Sequence, residues 1–118
     1  MKDARKLAAL GRLSQMRLDA ELARLRAAAR AREASLAALE ALKAPDESPG
    51  DLSPVAAGLA QLSYRRWAEA RRAEINVTLA RQTAEWAEAR DRAALAFGRT
   101  QSLDGLAMKL KKAQKRQD

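Results

Sequence analysis

The side chains of this chain that can do chemistry are nearly all charged, because the sequence contains no histidine and no cysteine. A chain without these residues has no thiol nucleophile, no imidazole base, no Cys/His zinc site and no disulfide. Carboxylates such as Glu85 and Glu88 stand one helical turn apart, a spacing that is ordinary on a solvated helix. The sequence therefore predicts a protein that is not an enzyme and has no catalytic, cofactor-binding or metal-binding residues.

The charges that remain are unevenly distributed, with a net charge of +8. Residues 1–43 hold ten basic and five acidic side chains, residues 44–54 hold three acids, and residues 105–118 hold five bases and one acid. If the chain folds as a hairpin, its two ends lie together. We then expect a strongly basic terminal end and an acidic loop end.

The C-terminal tail combines this charge with apolar surface. Leu103, Leu106 and Leu110 share one helical face, with lysines beside it. Such a stretch can dock in a partner's groove, bind an acidic protein or lie on an anionic membrane, and a solvated helix C-terminus is the simpler alternative. We interpret it as a docking segment. The cations around it are Lys109, Lys111, Lys112, Lys115 and Arg116.

Two long helices must position these residues. Ala, Leu, Arg, Lys and Glu make up about two thirds of the chain, which is typical of coiled coils, whereas two valines and one isoleucine argue against a sheet. All three prolines lie between positions 45 and 54, and Ser53 before Pro54 predicts a helix N-terminus. The prediction is an all-α, antiparallel two-helix coiled-coil hairpin with a longer second helix. It forms one domain over 1–118, with a helix over 4–43, a loop over 44–53 and a helix over 54–114.

The apolar stripes of the two helices suggest a register. In the first helix, the residues at 18, 22, 25, 29, 32, 36 and 39 follow the alternating spacing of a coiled-coil seam. We align the two helices antiparallel so that large apolar residues face each other. This alignment pairs Leu39 with Leu59, Leu36 with Leu62, Leu22 with Ile75 and Leu18 with Leu79. The same register sets Gly11 against Trp86, Gln15 against Gln82, and Tyr64 and Trp67 over alanines near Ala31.

Two consequences follow from this register. The second helix would overhang the first by about 20 residues at its C-terminal end, from Phe97 onward. Apolar residues would also remain outside the seam, among them Leu13, Met16, Val77 and Leu95. They point either to contacts with other chains or to alanine-rich helix faces in water.

Composition also bears on the environment and on alternative partners. The N-terminus carries charges among its apolar residues, and no segment reaches the roughly 18 apolar residues of a membrane span, so we expect a cytoplasmic protein. The basic balance is the electrostatic footprint of nucleic-acid binding. However, acids are interspersed along both helices and no nucleic-acid reader motif is present, which disfavours that function.

The residues that carry a family resemblance come from both helices. They are LAALGRLSQMRLDAELARLRA at the start, the Pro/Gly-rich turn, and YRRWAEARRAEINVTLARQTAEWAEARDRAALAFGRTQSLDGLA. This chain resembles the FliJ-like stalk and chaperone proteins of the bacterial flagellar type III export apparatus. The likeness covers nearly the whole chain, although this chain is short and its first helix is brief.

The resemblance implies an architecture and a set of partners. Family members are antiparallel hairpins whose terminal end enters the hexameric export ATPase, whose other end faces the membrane export gate, and which also handle export chaperones. Carried over to this chain, the gate-facing region is Leu62, Tyr64 and Trp67. The ATPase-facing residues are Lys2, Arg5, Lys6, Leu103, Leu106, Lys109, Leu110 and Lys112. The alternative is a generic adaptor that oligomerises through its spare apolar faces, with a basic nucleic-acid-binding protein third.

Overall fold

Two helices make up most of the chain. The structure is a computed structural model that describes residues 2–43 and 50–117. Helix α1 spans Lys2–Ala41 and helix α2 spans Pro54–Gln117, and no strand occurs among the described residues. The prediction of an all-α hairpin with a longer second helix is therefore confirmed. Pro45 and Pro49 of the predicted loop lie outside the described residues.

Local features explain where α1 ends and where α2 begins on either side of the loop. Pro54 is the first residue of α2, where its missing N–H costs no hydrogen bond. Ser53 is the N-cap, because its Oγ accepts a hydrogen bond from the Ala56 N–H at 3.2 Å. After α1, the amides of Leu42 and Lys43 donate to carbonyls three residues back, which tightens the final turn.

The chain divides into two compact units. One consists of Met1–Ala28 with Glu85–Asp118, and the other is Ala29–Ala84. Each unit contains a segment of α1 and a segment of α2. None of the described helices is long and apolar enough to cross a membrane.

Burial along both helices follows the alternating three- and four-residue spacing of a coiled coil. The buried or half-buried positions of α1 with this spacing are Leu18, Glu21, Leu25, Ala28, Arg32, Ser35 and Leu39. Those of α2 are Ile75, Leu79, Gln82, Trp86, Ala89, Ala93, Ala96, Thr100, Leu103, Ala107 and Leu110. The α1 seam thus shares every second position with the predicted stripe, whose other members Leu22, Ala29 and Leu36 are also half-buried, and it adds Glu21, which is 3% exposed.

Side-chain hydrogen bonds fix the antiparallel register within each unit. In the unit that contains both termini, the hydroxyls of Ser14 and Thr100 are hydrogen-bonded at 2.8 Å. In the other unit, Arg32 Nε donates to Thr83 Oγ1 at 3.2 Å and Ser35 Oγ donates to Gln82 Oε1 at 2.5 Å. These contacts define the observed register.

The predicted register is wrong. With Ser14 beside Thr100, Gly11 does not meet Trp86, and a Cβ built on Gly11 finds no atom within 4 Å. Gln82 bonds to Ser35, while Gln15 Nε2 donates to Asp19 within α1. The proposed leucine pairs fail for the same reason, and Leu59 and Leu62 are exposed.

The predicted location of the α2 overhang is also wrong. From the Ser14–Thr100 contact toward the chain termini, α1 extends for 12 residues and α2 extends for 17 residues. The two helices therefore differ in length by only five residues at this end. Beyond the Ser35–Gln82 contact, α1 ends after six residues whereas α2 begins 28 residues away. The excess length of α2 therefore lies at its N-terminal end, where it amounts to about 22 residues, or roughly 33 Å.

Small residues explain the difference in register. The α2 seam contains the buried Ala89, Ala93 and Ala96, which leave room for larger residues of α1 such as Leu18. Large side chains packed against small ones fill a helix interface as well as leucine packed against leucine does. The predicted register maximised leucine pairing and left Ala89 and Ala96 outside the seam.

Candidate partner-binding surfaces

The two chain ends place their cations side by side. Lys6 lies eight residues before Ser14, and Met108 lies eight residues after Thr100, so antiparallel pairing brings these positions together. The same argument sets Lys2 beside Lys112. We call residues 2–6 and 108–117 the basic end. It holds eight basic side chains and one acidic side chain, Asp3.

The cations of the basic end face solvent. All eight are exposed, and none forms a salt bridge within the described chain. Uncompensated like charges this close raise the local potential and attract an anionic partner. The cations are Lys2, Arg5, Lys6, Lys109, Lys111, Lys112, Lys115 and Arg116.

The three tail leucines do not form a single unpaired face. Leu103 and Leu110 are half-buried at seam positions, whereas Leu106 is 52% exposed. The expectation that α2 has no partner from Phe97 onward is thus wrong, since Thr100 beyond it is buried and bonded to Ser14. Among the tail leucines, Leu106 is the one most available to another protein.

The residues assigned to the gate-facing region lie in the other unit, on the part of α2 that extends past α1. Tyr64 and Trp67 contact each other, with ring centroids 5.7 Å apart and planes inclined by 39°. Trp67 and Leu62 are exposed and Tyr64 is half-buried. The predicted packing over Ala31 and Ala34 is not observed, since those alanines share a hollow with Arg71 and Ile75.

A groove in the unit with both termini is a second candidate surface. It has a volume of about 870 Å³ and lies between α1 and α2. Four leucines line it: Leu10, Leu13, Leu95 and Leu103. Three of them are more than half exposed, with Leu10 at 52%, Leu13 at 61% and Leu95 at 63%. We call this feature the leucine groove.

Small and cationic residues complete the leucine groove. Gly98 and Ser102 lie one turn apart on α2, and a Cβ added to Gly98 would meet no atom within 4 Å. Arg17 lines the groove from α1 and Arg99 lines it from α2. The sequence pattern placed Leu13 and Leu95 outside the seam. It did not predict that they line the same groove, because the predicted register was wrong.

Glu21 is the most deeply buried charged residue described, at 3% exposure. Its Oε1 lies 3.3 Å from Arg17 Nε and 3.9 Å from Arg24 Nη1, and its Oε2 has no hydrogen-bond partner within the described chain. Both arginines are largely exposed, so they only partly compensate the buried carboxylate. Glu21 is therefore a position where an apolar side chain would remove an incompletely compensated charge from the seam.

Neither a metal-binding cluster nor a comparison with known proteins adds a further candidate site. Over the described ranges, no group of three or more Asp, Glu, His or Cys side chains is placed to hold a metal ion. Comparison with protein-family models, curated proteins and solved structures finds no match for this chain. Its candidate surfaces are therefore the basic end, the leucine groove and the exposed Leu62–Trp67 region.

Proposed function

We propose that this protein is a non-enzymatic helical-hairpin stalk or adaptor that docks through its basic end onto a larger protein assembly. The observation that carries the proposal is the convergence of eight exposed cations from both chain ends, none of which forms a salt bridge within the described residues. The exposed Leu106 lies on α2 just before the C-terminal group of these cations. A paired helix end is stiffer than a single tail, so it keeps the backbone positions that carry these side chains close together. Clustered cations near an apolar anchor suit a protein partner with a complementary acidic, apolar site.

The resemblance to FliJ-like proteins makes the proposal specific. According to this specific proposal, the basic end enters the hexameric ATPase of a flagellar type III export apparatus, and the Leu62–Trp67 region faces the export gate. Export chaperones are further proposed partners, and the proposed location is the cytoplasmic base of the apparatus. An antiparallel hairpin with both termini at one end is the architecture that this role requires.

Association kinetics with the export ATPase of the same organism test the proposal. Replacing Lys109, Lys111 and Lys112 with Gln should slow association about tenfold and reduce its salt dependence, because these charges steer the approach. Leu106→Ala should mainly speed dissociation, because it removes a packing contact made only in the complex.

Matched controls separate docking from changes in folding. Val77→Ala removes an exposed apolar side chain of the other unit, and Arg26→Gln removes an exposed charge far along α1 from the basic end. Both should leave the kinetics unchanged. The proposal fails if wild-type protein does not bind the ATPase while binding DNA or anionic vesicles tightly, with log affinity falling steeply with log salt.

One observation favours the alternative of an oligomerising adaptor. Apolar side chains are exposed in both units, including Met16, Val55, Val77 and Leu95. If these faces pair with other copies, sedimentation will show an oligomer that is insensitive to salt and needs no partner. For the stalk, we expect a monomer in isolation.

A further inference from the structure

The shape of the leucine groove suits an α-helix. Its walls are two antiparallel helices, so a third helix laid along it would complete a three-helix arrangement with its apolar side chains between Leu13 and Leu95. The lining extends from Ala94 to Leu103 on α2, a length of about 14 Å. A helix of three turns or more fills that length.

The depth of the leucine groove argues for the same occupant. Leu10, Leu13 and Leu95 each remain more than half exposed, so the groove is shallow and open. Small-molecule sites bury about 70–90% of their ligand, which needs a deeper enclosure. Gly98 and Ser102 present little side chain, so they allow the backbone of an incoming helix to approach α2 closely.

Charge defines the chemistry of that helix. Arg17 lines the groove from α1 and Arg99 lines it from α2, and none of the described lining residues is acidic. Arg17 is paired with Glu21, whereas Arg99 forms no salt bridge within the described ranges. A second copy of this chain would carry the same cations and a net charge of +8, so electrostatic repulsion opposes it.

We propose that the leucine groove binds an amphipathic helix of a partner protein that carries carboxylates beside its apolar stripe. The apolar stripe contacts Leu13 and Leu95, and a carboxylate accepts hydrogen bonds from the Arg99 guanidinium. This proposal does not depend on the identity of the partner at the basic end. It assigns a second binding surface, distinct from Leu106 and the lysines.

Two synthetic peptides of about five turns test the inference. They share one leucine stripe and differ only in the flanking residues, which are Glu in one and Lys in the other. Titrated into the full-length ¹⁵N-labelled protein, the Glu peptide should saturably shift the Gly98 and Ser102 amide resonances. It should also bind at least about tenfold more tightly than the Lys peptide.

Substitutions in the protein test the apolar contact and the charged contact separately. Leu95→Gln should weaken the Glu peptide about tenfold, and Arg99→Gln should reduce the preference for Glu over Lys. Val77→Gln is the matched control for Leu95→Gln, since Val77 is also exposed and apolar but lies in the other unit. It should leave peptide binding unchanged, and circular dichroism should show the same helix content in all variants.

The inference is overturned if both peptides bind equally, if neither binds, or if Leu95→Gln binds as well as wild type. It is also overturned if the Gly98 resonance shifts with protein concentration alone, because that result assigns the groove to self-association. Binding of the export ATPase through the basic end is measured independently with the Leu106 and lysine variants. One proposal can therefore fail while the other stands.

Discussion

At the scale of single residues, the buried polar positions determine how the helices meet. Ser14 and Thr100 satisfy each other across the seam, and the Thr100 hydroxyl also lies 3.1 Å from the Ala96 carbonyl. Glu21 instead leaves its Oε2 without a hydrogen-bond partner among the described residues. The seam therefore contains one satisfied polar contact and one carboxylate that is only partly compensated, and both can be tested by substitution.

Glu21→Leu should stabilise the protein by about 1 kcal/mol or more, because a seam carboxylate with an unpartnered oxygen is replaced by an apolar side chain of similar volume. Arg17 and Arg24 remain in water, so no buried charge is left behind. Urea unfolding measures the change. Glu33→Leu, at an exposed α1 position, is the control and should give no comparable gain. A loss of stability in Glu21→Leu would show that the carboxylate is better compensated than its contacts indicate.

Gly11→Ala should raise the free energy of unfolding by about 1 kcal/mol, the difference in helix propensity between glycine and alanine. The added Cβ meets no atom within 4 Å, so no packing penalty opposes this gain. Thermal and urea unfolding provide the measurement. Destabilisation would indicate that a bulky residue lies against Gly11, as the leucine-matching register requires.

At the scale of helices, the sequence was sufficient to predict which segments are helical. The proline cluster separates the two helices, and Ser53–Pro54 marks the start of α2 at the observed residue. These are local signals, since capping and proline geometry depend only on neighbouring residues. Burial of Ile75 also agrees with its predicted position in the seam.

The register could not be obtained in the same way. It depends on side chains far apart in sequence, and an alanine-rich chain offers several alignments of similar apolar quality. The residues that distinguish them are Ser14, Ser35, Gln82 and Thr100. A search for apolar stripes overlooks the two serines and the threonine, and it paired Gln82 with Gln15 instead of Ser35. Consequently the composition of the basic end was predictable, but the leucine groove was not.

Disulfide trapping tests the register directly, because the chain has no cysteine of its own. The Ser14→Cys, Thr100→Cys double variant should form an intramolecular disulfide rapidly under mild oxidation, since the two hydroxyl oxygens are 2.8 Å apart. The Gly11→Cys, Trp86→Cys double variant is the control and should remain reduced. Mobility on denaturing gels distinguishes the two products. Efficient closure of the second pair, and not the first, would reject the observed register.

At the scale of the whole molecule, the unit with both termini concentrates the candidate binding features. It contains the basic end, the leucine groove and the exposed Leu106. The other unit contains the Tyr64–Trp67 contact on the part of α2 that extends past α1. Separate surfaces on separate units are what an adaptor with more than one partner requires.

We propose that this chain acts on an ATPase without being one. The most direct test is the ATP turnover of the purified export ATPase hexamer, measured with wild-type protein, with the triple variant of Lys109, Lys111 and Lys112 to Gln, and with the protein alone. We expect wild type to raise turnover, the triple variant to need about tenfold more protein for the same effect, and the protein alone to hydrolyse no ATP. Turnover that wild-type protein leaves unchanged, or hydrolysis by the protein alone that survives removal of contaminants, would contradict the claim.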